Sequence, residues 1–209
     1  SWRIREHILD EMEATTGGRV IQSACKVGGV RKDISGEQLE GMLFRLKDIK
    51  KDLYTITSVF LEDSSVKYRL KTVGVLSKQD AYDFGAVGPT GRGSGVAIDL
   101  RETGYAAYGK LNFKPAVATE GDCYARCNVR IQELFSSIDI IEQAAKKIPE
   151  GPIDIKITGA PNGEYFSRAE QPRGEVVHYV KGNGKKNLVR SRVRTPTFSN
   201  IPPLVMMLK

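Results

Sequence analysis

The stretch EQPRGEVVHYVKGNG, residues 170–184, places a proline, an arginine and a glycine directly before a run typical of a β-strand. Pro172 fixes its own φ angle, and Gly174 allows the backbone to turn sharply after the arginine. The pattern therefore predicts that the guanidinium of Arg173 is aimed at a ligand or at another part of the protein. A plain β-turn is the alternative interpretation, and the residues alone favour it.

A second rigid turn follows in the stretch RVRTPTFSN, where Thr195 and Thr197 flank Pro196. The two hydroxyl groups and the guanidinium of Arg173 are hydrogen-bonding groups carried on stiff turns. Such groups suit a small anionic or polar ligand.

The glycine-rich stretch GPTGRGSG, residues 88–95, does not match a nucleotide-binding motif. It lacks the Gly-Lys-Ser/Thr ending of a P-loop, and Val96 stands where a GxGxxG pattern requires its third glycine. We therefore predict a structural loop with tight turns, in which Arg92 and Asp99 are candidates for buried pairing groups.

The chain has three cysteines, Cys25, Cys123 and Cys127, and two histidines, His7 and His178. No CxxC pair occurs, and these residues do not supply the four ligands of a usual zinc site. We therefore predict no bound nickel, iron or zinc in this chain. An odd number of cysteines without a disulfide framework indicates a reducing compartment. Cys127 falls on an apolar helix stripe, which is typical of a core cysteine.

Two long helices must support these loops. The first is predicted to begin at Ser35, which forms a capping-box pattern with Gln38, and to end near Glu62. Its apolar residues are spaced by three and four. The second is predicted from Asp122 to Pro149, with an equally regular apolar stripe. We expect these two helices to pack together in a bundle. Other helices are predicted over residues 2–15, 65–73 and 77–84.

After Gly151 the pattern changes. The segments PIDIKIT and GEVVHYV are β-like, and GNGKKN is typical of a turn, so we predict a β-ribbon over about residues 175–194. The predicted fold class is α+β, a mainly helical bundle with two long packed helices and a C-terminal β-ribbon lobe. The predicted domains are a helical core with a glycine-rich loop region at 1–150 and the β-ribbon lobe at 151–209.

The net charge is +7, and the positive residues are scattered except in the stretch KGNGKKNLVRSRVR. That cluster is either a solvated hairpin or a partner-binding surface. No apolar run approaches the roughly 20 residues of a membrane span. The first residues, SWRIREHILDEME, form a charged helix-like segment, so we do not expect them to be a secretory signal. Because the sequence begins with Ser and ends in an uncapped apolar run, we expect both ends to be cuts inside a longer protein.

Five segments taken together resemble one known superfamily of large subunits. They are REHILDEMEATTGGRV, KVGGVRKDIS, TVGVLSKQDAYDFGAVGPTGRGSGVAIDLRETGYAAY, GDCYARCNVRIQELFSSIDIIEQ and EQPRGEVVHYV. The superfamily contains the energy-converting NiFe hydrogenases, including the large subunit of formate hydrogenlyase, and the 49-kDa subunit of respiratory complex I, the NADH-quinone oxidoreductase. No single motif is decisive, but five in this order are specific, and the resemblance covers nearly the whole chain.

The resemblance implies roles for two motifs. In such hydrogenases an E-x-P-R-G motif places its arginine over the nickel-iron site, and Glu170, Pro172, Arg173 and Gly174 match it. A later P-T/S motif brings a hydroxyl to the cyanide ligands of the iron, and Pro196–Thr197 matches that motif. The resemblance therefore makes the arginine a catalytic candidate and the other residues its immediate surroundings.

The complex I branch usually carries lysine where Arg173 stands, so the resemblance favours the hydrogenase branch, with H2 oxidation or proton reduction at a NiFe centre of the full-length parent. In the complex I alternative, the parent would line a quinone site. The implied partners are an iron-sulfur small subunit and membrane subunits, in a complex at the inner face of the cell membrane, with no nucleic acid. A nonenzymatic basic module that binds RNA or protein ranks last, because aromatic residues are only 8% and no stacking motif accompanies the basic cluster.

The sequence departs from the family pattern at its ends. The nickel of the family is held by two cysteine pairs, one near each terminus, and neither pair is in this sequence. The histidine and tyrosine of the complex I quinone site also belong to a missing N-terminal part. We therefore expect this chain to be a fragment that is inactive alone and holds no cofactor.

Overall fold

The computed structural model describes residues 2–208 and shows an α+β fold, as predicted. The α-helices are α1 (Trp2–Thr16), α2 (Gly36–Glu62), α3 (Ser64–Leu70), α4 (Lys78–Asp83), α5 (Pro89–Arg92), α6 (Cys123–Lys147), α7 (Pro196–Ser199) and α8 (Ile201–Met207). The strands are β1 (Cys25–Lys26), β2 (Gly29–Val30), β3 (Asn162–Gln171), β4 (Gly174–Asn183) and β5 (Arg190–Arg194). Short 3₁₀ helices cover Leu100–Thr103 and Tyr108–Lys110.

Backbone contacts divide the chain into two compact units, Ser1–Phe60 with Ile141–Thr158 and Leu61–Ile140 with Gly159–Lys209. The predicted division into 1–150 and 151–209 stays a prediction. The packing of the two long helices on each other also stays a prediction, because α2 belongs mostly to the first unit and α6 mostly to the second. Among residues 2–208, no helix is both long enough and apolar enough to cross a bilayer.

In the first unit, α2 begins where the sequence predicts. The Ser35 amide donates to Oε1 of Gln38 at 3.0 Å, and the Gln38 amide donates to Oγ of Ser35 at 3.2 Å, which completes the capping box. The β prediction for the segment PIDIKIT is wrong, because this segment forms only an isolated bridge between Asp154 and Gly29. Its neighbour β2 is two residues long and already pairs with β1, so it supports no longer ladder.

In the second unit, α6 begins at a capping carboxylate. Oδ1 of Asp122 accepts from the Ala125 amide at 2.7 Å, and Oδ2 accepts from the Thr72 amide at 2.9 Å. The second predicted long helix is therefore confirmed. A small buried core lies under the glycine-rich loop, and methionines of α8 pack against it; its members are Leu76, Ala81, Ala86 and Val96, with Met206 and Met207 beside them.

The C-terminal sheet has the strand order β3–β4–β5, and both pairs are antiparallel. Gln171 pairs with Gly174 at one end of the first ladder, and Val177 pairs with Arg194 at one end of the second. The predicted ribbon over 175–194 is confirmed, but the sequence did not indicate β3. Most side chains of β3 are exposed on both faces, so the strand lacks the alternation of apolar and polar residues that marks a half-buried strand.

Candidate functional site

The turn between β3 and β4 consists of Pro172 and Arg173 alone, because Gln171 pairs directly with Gly174. Gly174 has a φ of +124° and lies against Gly88, the N-cap of α5, which has a φ of +62°. A Cβ atom on Gly174 would lie 2.6 Å from the Gly88 nitrogen, and one on Gly88 would lie 2.5 Å from the Arg173 carbonyl oxygen. Two glycines therefore permit the backbone contact that fixes the turn in place.

The second predicted turn is tied to the same loop. Thr195 is the N-cap of α7, although its side chain makes no capping hydrogen bond, and Pro196 is buried at the start of that helix. Asn200, which follows α7, accepts a hydrogen bond from the Val87 amide at 2.9 Å and donates one to the Val87 carbonyl oxygen at 3.2 Å. The loop that leads into α5 thus holds both turns.

Arg173 and Thr197 line one cavity of about 370 Å³, which we call the arginine cavity. Its other lining residues are Thr90, Arg126, Arg130, Asn200, Ile201, Leu204 and Met207. Three of the lining side chains are guanidinium groups, and none is a carboxylate. The cavity therefore favours a negatively charged or polar occupant.

The three arginines of this cavity pair with no carboxylate in the described part of the chain. Arg126 is 7% exposed and donates to the carbonyl oxygens of Gly121 at 2.6 Å and of Gly74 at 2.7 Å. Arg130 donates to the Arg126 carbonyl oxygen at 3.0 Å. The exposed Arg173 side chain makes no hydrogen bond or ion pair with any residue from 2 to 208. Its positive charge is thus available to an occupant of the cavity.

Glu170 does not line the arginine cavity. Its side chain is 5% exposed; Oε1 accepts from Arg92 at 2.9 Å, and Oε2 accepts from the Leu100 amide at 3.2 Å. The Glu170 amide donates to the hydroxyl oxygen of Tyr105 at 2.9 Å. These bonds fix the end of β3 immediately before the turn, so Glu170 positions the turn and does not face the cavity.

Glu170 belongs to a set of five buried or partly buried charged residues, the Arg92 cluster: Arg92, Asp99, Arg101, Glu133 and Glu170. Arg92 is 1% exposed and lies 2.7 Å from Glu133, 2.9 Å from Glu170 and 3.4 Å from Asp99. Arg101 lies 2.6 Å from Asp99. The predicted buried pairing of Arg92 with Asp99 is confirmed, whereas sequence reasoning missed Arg101 and Glu133.

The pKa values of two carboxyls in the cluster shift in opposite directions. Burial raises the pKa of Glu133 above its ordinary value, although the charge and the hydrogen bonds of Arg92 act against it. Burial also acts to raise the pKa of Asp99, but hydrogen bonds from Arg101 and the charge of Arg92 outweigh it, so this pKa lies below its ordinary value. Glu133 therefore binds a proton more readily than Asp99.

Sequence reasoning also missed two arginines of α6. Arg126, Arg130 and Glu133 follow one another at steps of four and three, so they share one face of the helix. The apolar stripe of α6 has the same periodicity and identified the helix. A charged stripe beside it is the signal that could have identified these three residues.

The described residues contain no group of three or more His, Cys, Asp or Glu side chains placed to hold a metal ion. Cys123 and Cys127 are partly buried free thiols, and burial raises the pKa of Cys127. The arginine cavity offers hydrogen-bond donors and positive charge. Its residues therefore fit around the outer atoms of a polar or anionic group held from elsewhere, and they do not fit as ligands of a metal.

The chain matches the family described as respiratory-chain NADH dehydrogenase, 49 Kd subunit, over residues 1–159 and 155–209. The C/D subunit of NADH-quinone oxidoreductase from Phocaeicola vulgatus is 44% identical over 92% of this chain and 38% of that protein. The alpha subunit of the membrane-bound hydrogenase from Pyrococcus furiosus is 40% identical over 96% of this chain and 51% of that protein. The D subunit of F(420)H(2) dehydrogenase from Methanosarcina mazei is 36% identical over 97% of this chain and 58% of that protein. The sequence thus spans about two fifths to three fifths of these oxidoreductase subunits.

Proposed function

The chain belongs to the 49 Kd subunit family of respiratory-chain NADH dehydrogenase, and from this premise we propose that it forms one wall of the redox site in the catalytic large subunit of a multi-subunit oxidoreductase. The observation that carries the proposal is the unpaired guanidinium of Arg173 at the arginine cavity, which Thr197 also lines. In this role Arg173 is catalytic, and Glu170, Pro172, Gly174 and the Pro196–Thr197 turn surround it.

The chemistry of Arg173 follows from its placement. The guanidinium is planar and permanently charged, and it can donate two parallel hydrogen bonds to one polar group. The backbone contact at the turn fixes the point from which the Arg173 side chain reaches the cavity, before an occupant binds. Where the rest of the full-length protein covers the cavity and excludes water, such a donor would stabilise developing negative charge most strongly. Thr197 adds a hydroxyl donor.

Our first candidate for the full-length protein is a hydrogenase that oxidises H2 or reduces protons. Arginine at position 173 supports this candidate, as does the similarity to a membrane-bound hydrogenase subunit over 96% of the chain. When bound, a nickel-iron centre supplies the cleavage or formation of the H–H bond. The part of this chain is to orient the outer atoms of that group and to place positive charge beside them.

The second candidate is a quinone-reducing subunit of the complex I type. It is supported by the 44% identity to an NADH-quinone oxidoreductase subunit. Arg173 and Thr197 would then donate hydrogen bonds to a quinone oxygen. In both candidates we propose an iron-sulfur small subunit as electron partner, membrane subunits as neighbours, and a peripheral position at the inner face of the cell membrane. Neither candidate involves nucleic acid.

The test is Arg173→Lys in the full-length protein. We expect folding and nickel content to be nearly unchanged and H2 turnover per nickel to fall about tenfold or more, as when a preorganised donor is lost. Lysine keeps a positive charge but lacks the planar fork, and it can lose its proton in a buried site. The matched control is Arg190→Lys on the exposed strand β5, which should keep full turnover.

Two other outcomes are informative. Equal turnover of Arg173→Lys and wild type at equal nickel content would mean that Arg173 is only a turn residue. A protein that contains no nickel but loses quinone reduction on the same substitution would establish the second candidate in place of the first.

A further inference from the structure

The Arg92 cluster carries one more negative than positive charge. It contains two arginines, Arg92 and Arg101, and three carboxylates, Asp99, Glu133 and Glu170. Arg92 and Asp99 are buried and the other three residues are partly buried, with at most 14% of any one of the five side chains exposed, so water screens the excess charge only in part. Binding of one proton to a carboxylate would make the cluster neutral.

The hydrogen bonds indicate which carboxylate takes that proton. Both oxygens of Asp99 accept from Arg101, at 3.0 Å from its amide and 2.6 Å from its guanidinium. Both oxygens of Glu170 also accept, one from Arg92 and one from a backbone amide. Oε1 of Glu133 accepts a hydrogen bond from Nε of Arg92 at 2.9 Å and forms an ion pair with Nη2 at 2.7 Å. Oε2 has no partner among the described residues and is not enclosed. Oε2 of Glu133 is therefore the carboxylate oxygen of the cluster that is free to bind a proton.

Glu133 lines a second cavity of about 580 Å³, which we call the glutamate cavity. This volume is large enough for several water molecules. Two hydroxyl-bearing side chains, Tyr108 and Ser137, also line it. Arg130 and Arg173 line both the glutamate cavity and the arginine cavity, so the two cavities meet at these side chains.

We propose that Glu133 exchanges protons with the group that occupies the arginine cavity, through water in the glutamate cavity. In delivery, the O–H bond of the Glu133 carboxyl breaks, and a water molecule takes the proton and passes it on past Arg173. The carboxylate then takes up a proton from hydronium supplied by bulk solvent, which leaves water, and no electron moves through Glu133. The inference rests on the proposed function, because both hydrogen and quinone chemistry release or consume protons.

Charged and titratable groups surround Glu133 from several elements. They are Arg92 on α5, Asp99 and Arg101 after α5, Tyr108 on the second 3₁₀ helix, Glu170 and Arg173 at the β3–β4 hairpin, and Arg130 on α6, the helix that carries Glu133. The guanidinium groups favour the charged form of Glu133, whereas burial and the carboxylate of Asp99 favour the protonated form. Burial outweighs the rest, and the pKa of Glu133 is raised.

An infrared pH titration of the chain tests the protonation. The difference spectrum between wild type and Glu133→Gln should contain the C=O band of a protonated carboxyl. This band should persist at pH values above the ordinary glutamate pKa of about 4.3. In the matched control Glu142→Gln, on the same helix but outside the cluster, this band should remain. If wild type and Glu133→Gln show the same carboxyl bands at every pH, Glu133 holds no such proton, and the proposal is wrong.

Turnover of the full-length protein tests the delivery. Glu133→Gln should lower turnover on the order of 100-fold, as expected when a positioned proton carrier is lost. The solvent deuterium isotope effect should increase, because proton delivery becomes slow. Glu133→Asp keeps a carboxyl and should recover much of the turnover, whereas a purely structural role predicts no such recovery. Glu142→Gln should have wild-type turnover.

The failures of the two proposals are distinguishable. Full turnover of Glu133→Gln, together with a large loss in Arg173→Lys, would overturn proton exchange at Glu133 and leave the proposed function standing. Full turnover of Arg173→Lys would overturn the proposed function itself.

Discussion

Arg92 joins three distant parts of the chain through one side chain. Its guanidinium contacts Asp99 beyond the glycine-rich loop, Glu133 on α6 and Glu170 at the end of β3. Since the turn that carries Arg173 begins two residues after Glu170, the pairing at Arg92 also positions that turn. Glu133 and Glu170 have no other cationic partner among the described residues, so their burial depends on this arginine, whereas Asp99 is also paired with Arg101.

Substitution of Arg92 by Met should therefore destabilise the chain strongly. We expect a loss of about 3–5 kcal/mol at neutral pH, because Glu133 and Glu170 lose their cationic partner. Part of the loss should be recovered as the pH falls toward about 4, where the carboxylates can take up protons. Denaturant unfolding at two pH values measures both effects. The control Arg190→Met, on the exposed strand β5, should change stability little; an Arg92→Met chain as stable as wild type would contradict the expectation.

Among the helices and strands, the sequence predicted those that are determined by patterns of residues close together in the chain. The capping box at Ser35 and the apolar stripe of α6 depend on neighbours within one or two helical turns, and both helices are found. Strand β3 depends instead on backbone pairing with β4, which leaves no side-chain pattern. The segment PIDIKIT has the composition of a strand but lacks a partner long enough to form a sheet. For Arg173, the rigid turn was readable locally, but its contact at Gly88 lies more than 80 residues earlier in the chain.

The contact between the β3–β4 turn and the loop before α5 can be tested with paired glycine substitutions. Gly174→Ala should destabilise the chain by about 1–3 kcal/mol more than Gly159→Ala, because the added methyl group would overlap the backbone of Gly88. Gly159 has a φ of +103° and nothing within 4 Å of its Cβ position, so it reports backbone strain alone. Denaturant midpoints compare the two variants. Equal losses would show that the turn does not depend on this close approach.

For the whole molecule, three relatives named for different reactions each match more than nine tenths of the chain. Similarity over this much of the chain supports the proposal that this segment has a role common to these enzymes. The described residues provide positive charge, hydroxyl groups and a partly buried carboxyl with an unpartnered oxygen. In the role that we propose, these groups would serve any reaction that couples electrons to protons. Groups that separate one reaction from another would then be contributed by the rest of each enzyme, together with the side chain at position 173.

The folding stability of the whole chain should vary with pH through two carboxyls whose pKa values shift in opposite directions on folding. The pKa of Glu133 is raised on folding, so its contribution is fully present below the unfolded value of about 4.3 and is lost as the pH rises through the folded pKa. The pKa of Asp99 is lowered on folding, so its contribution is present above about 3.9 and is lost as the pH falls through the folded pKa.

Glu133→Gln removes only the first of these effects. Relative to wild type, the variant should become progressively more stable as the pH rises from about 4 toward neutrality, because glutamine has no proton to lose. The decline of stability at acid pH that comes from Asp99 should remain in both proteins. Denaturant unfolding of wild type, Glu133→Gln and the control Glu142→Gln over this range measures the difference, and the control should follow wild type. A difference between wild type and Glu133→Gln that is constant with pH would mean that Glu133 has the same proton affinity in the folded and unfolded chain, and the physical basis for proton exchange at this residue would be lost.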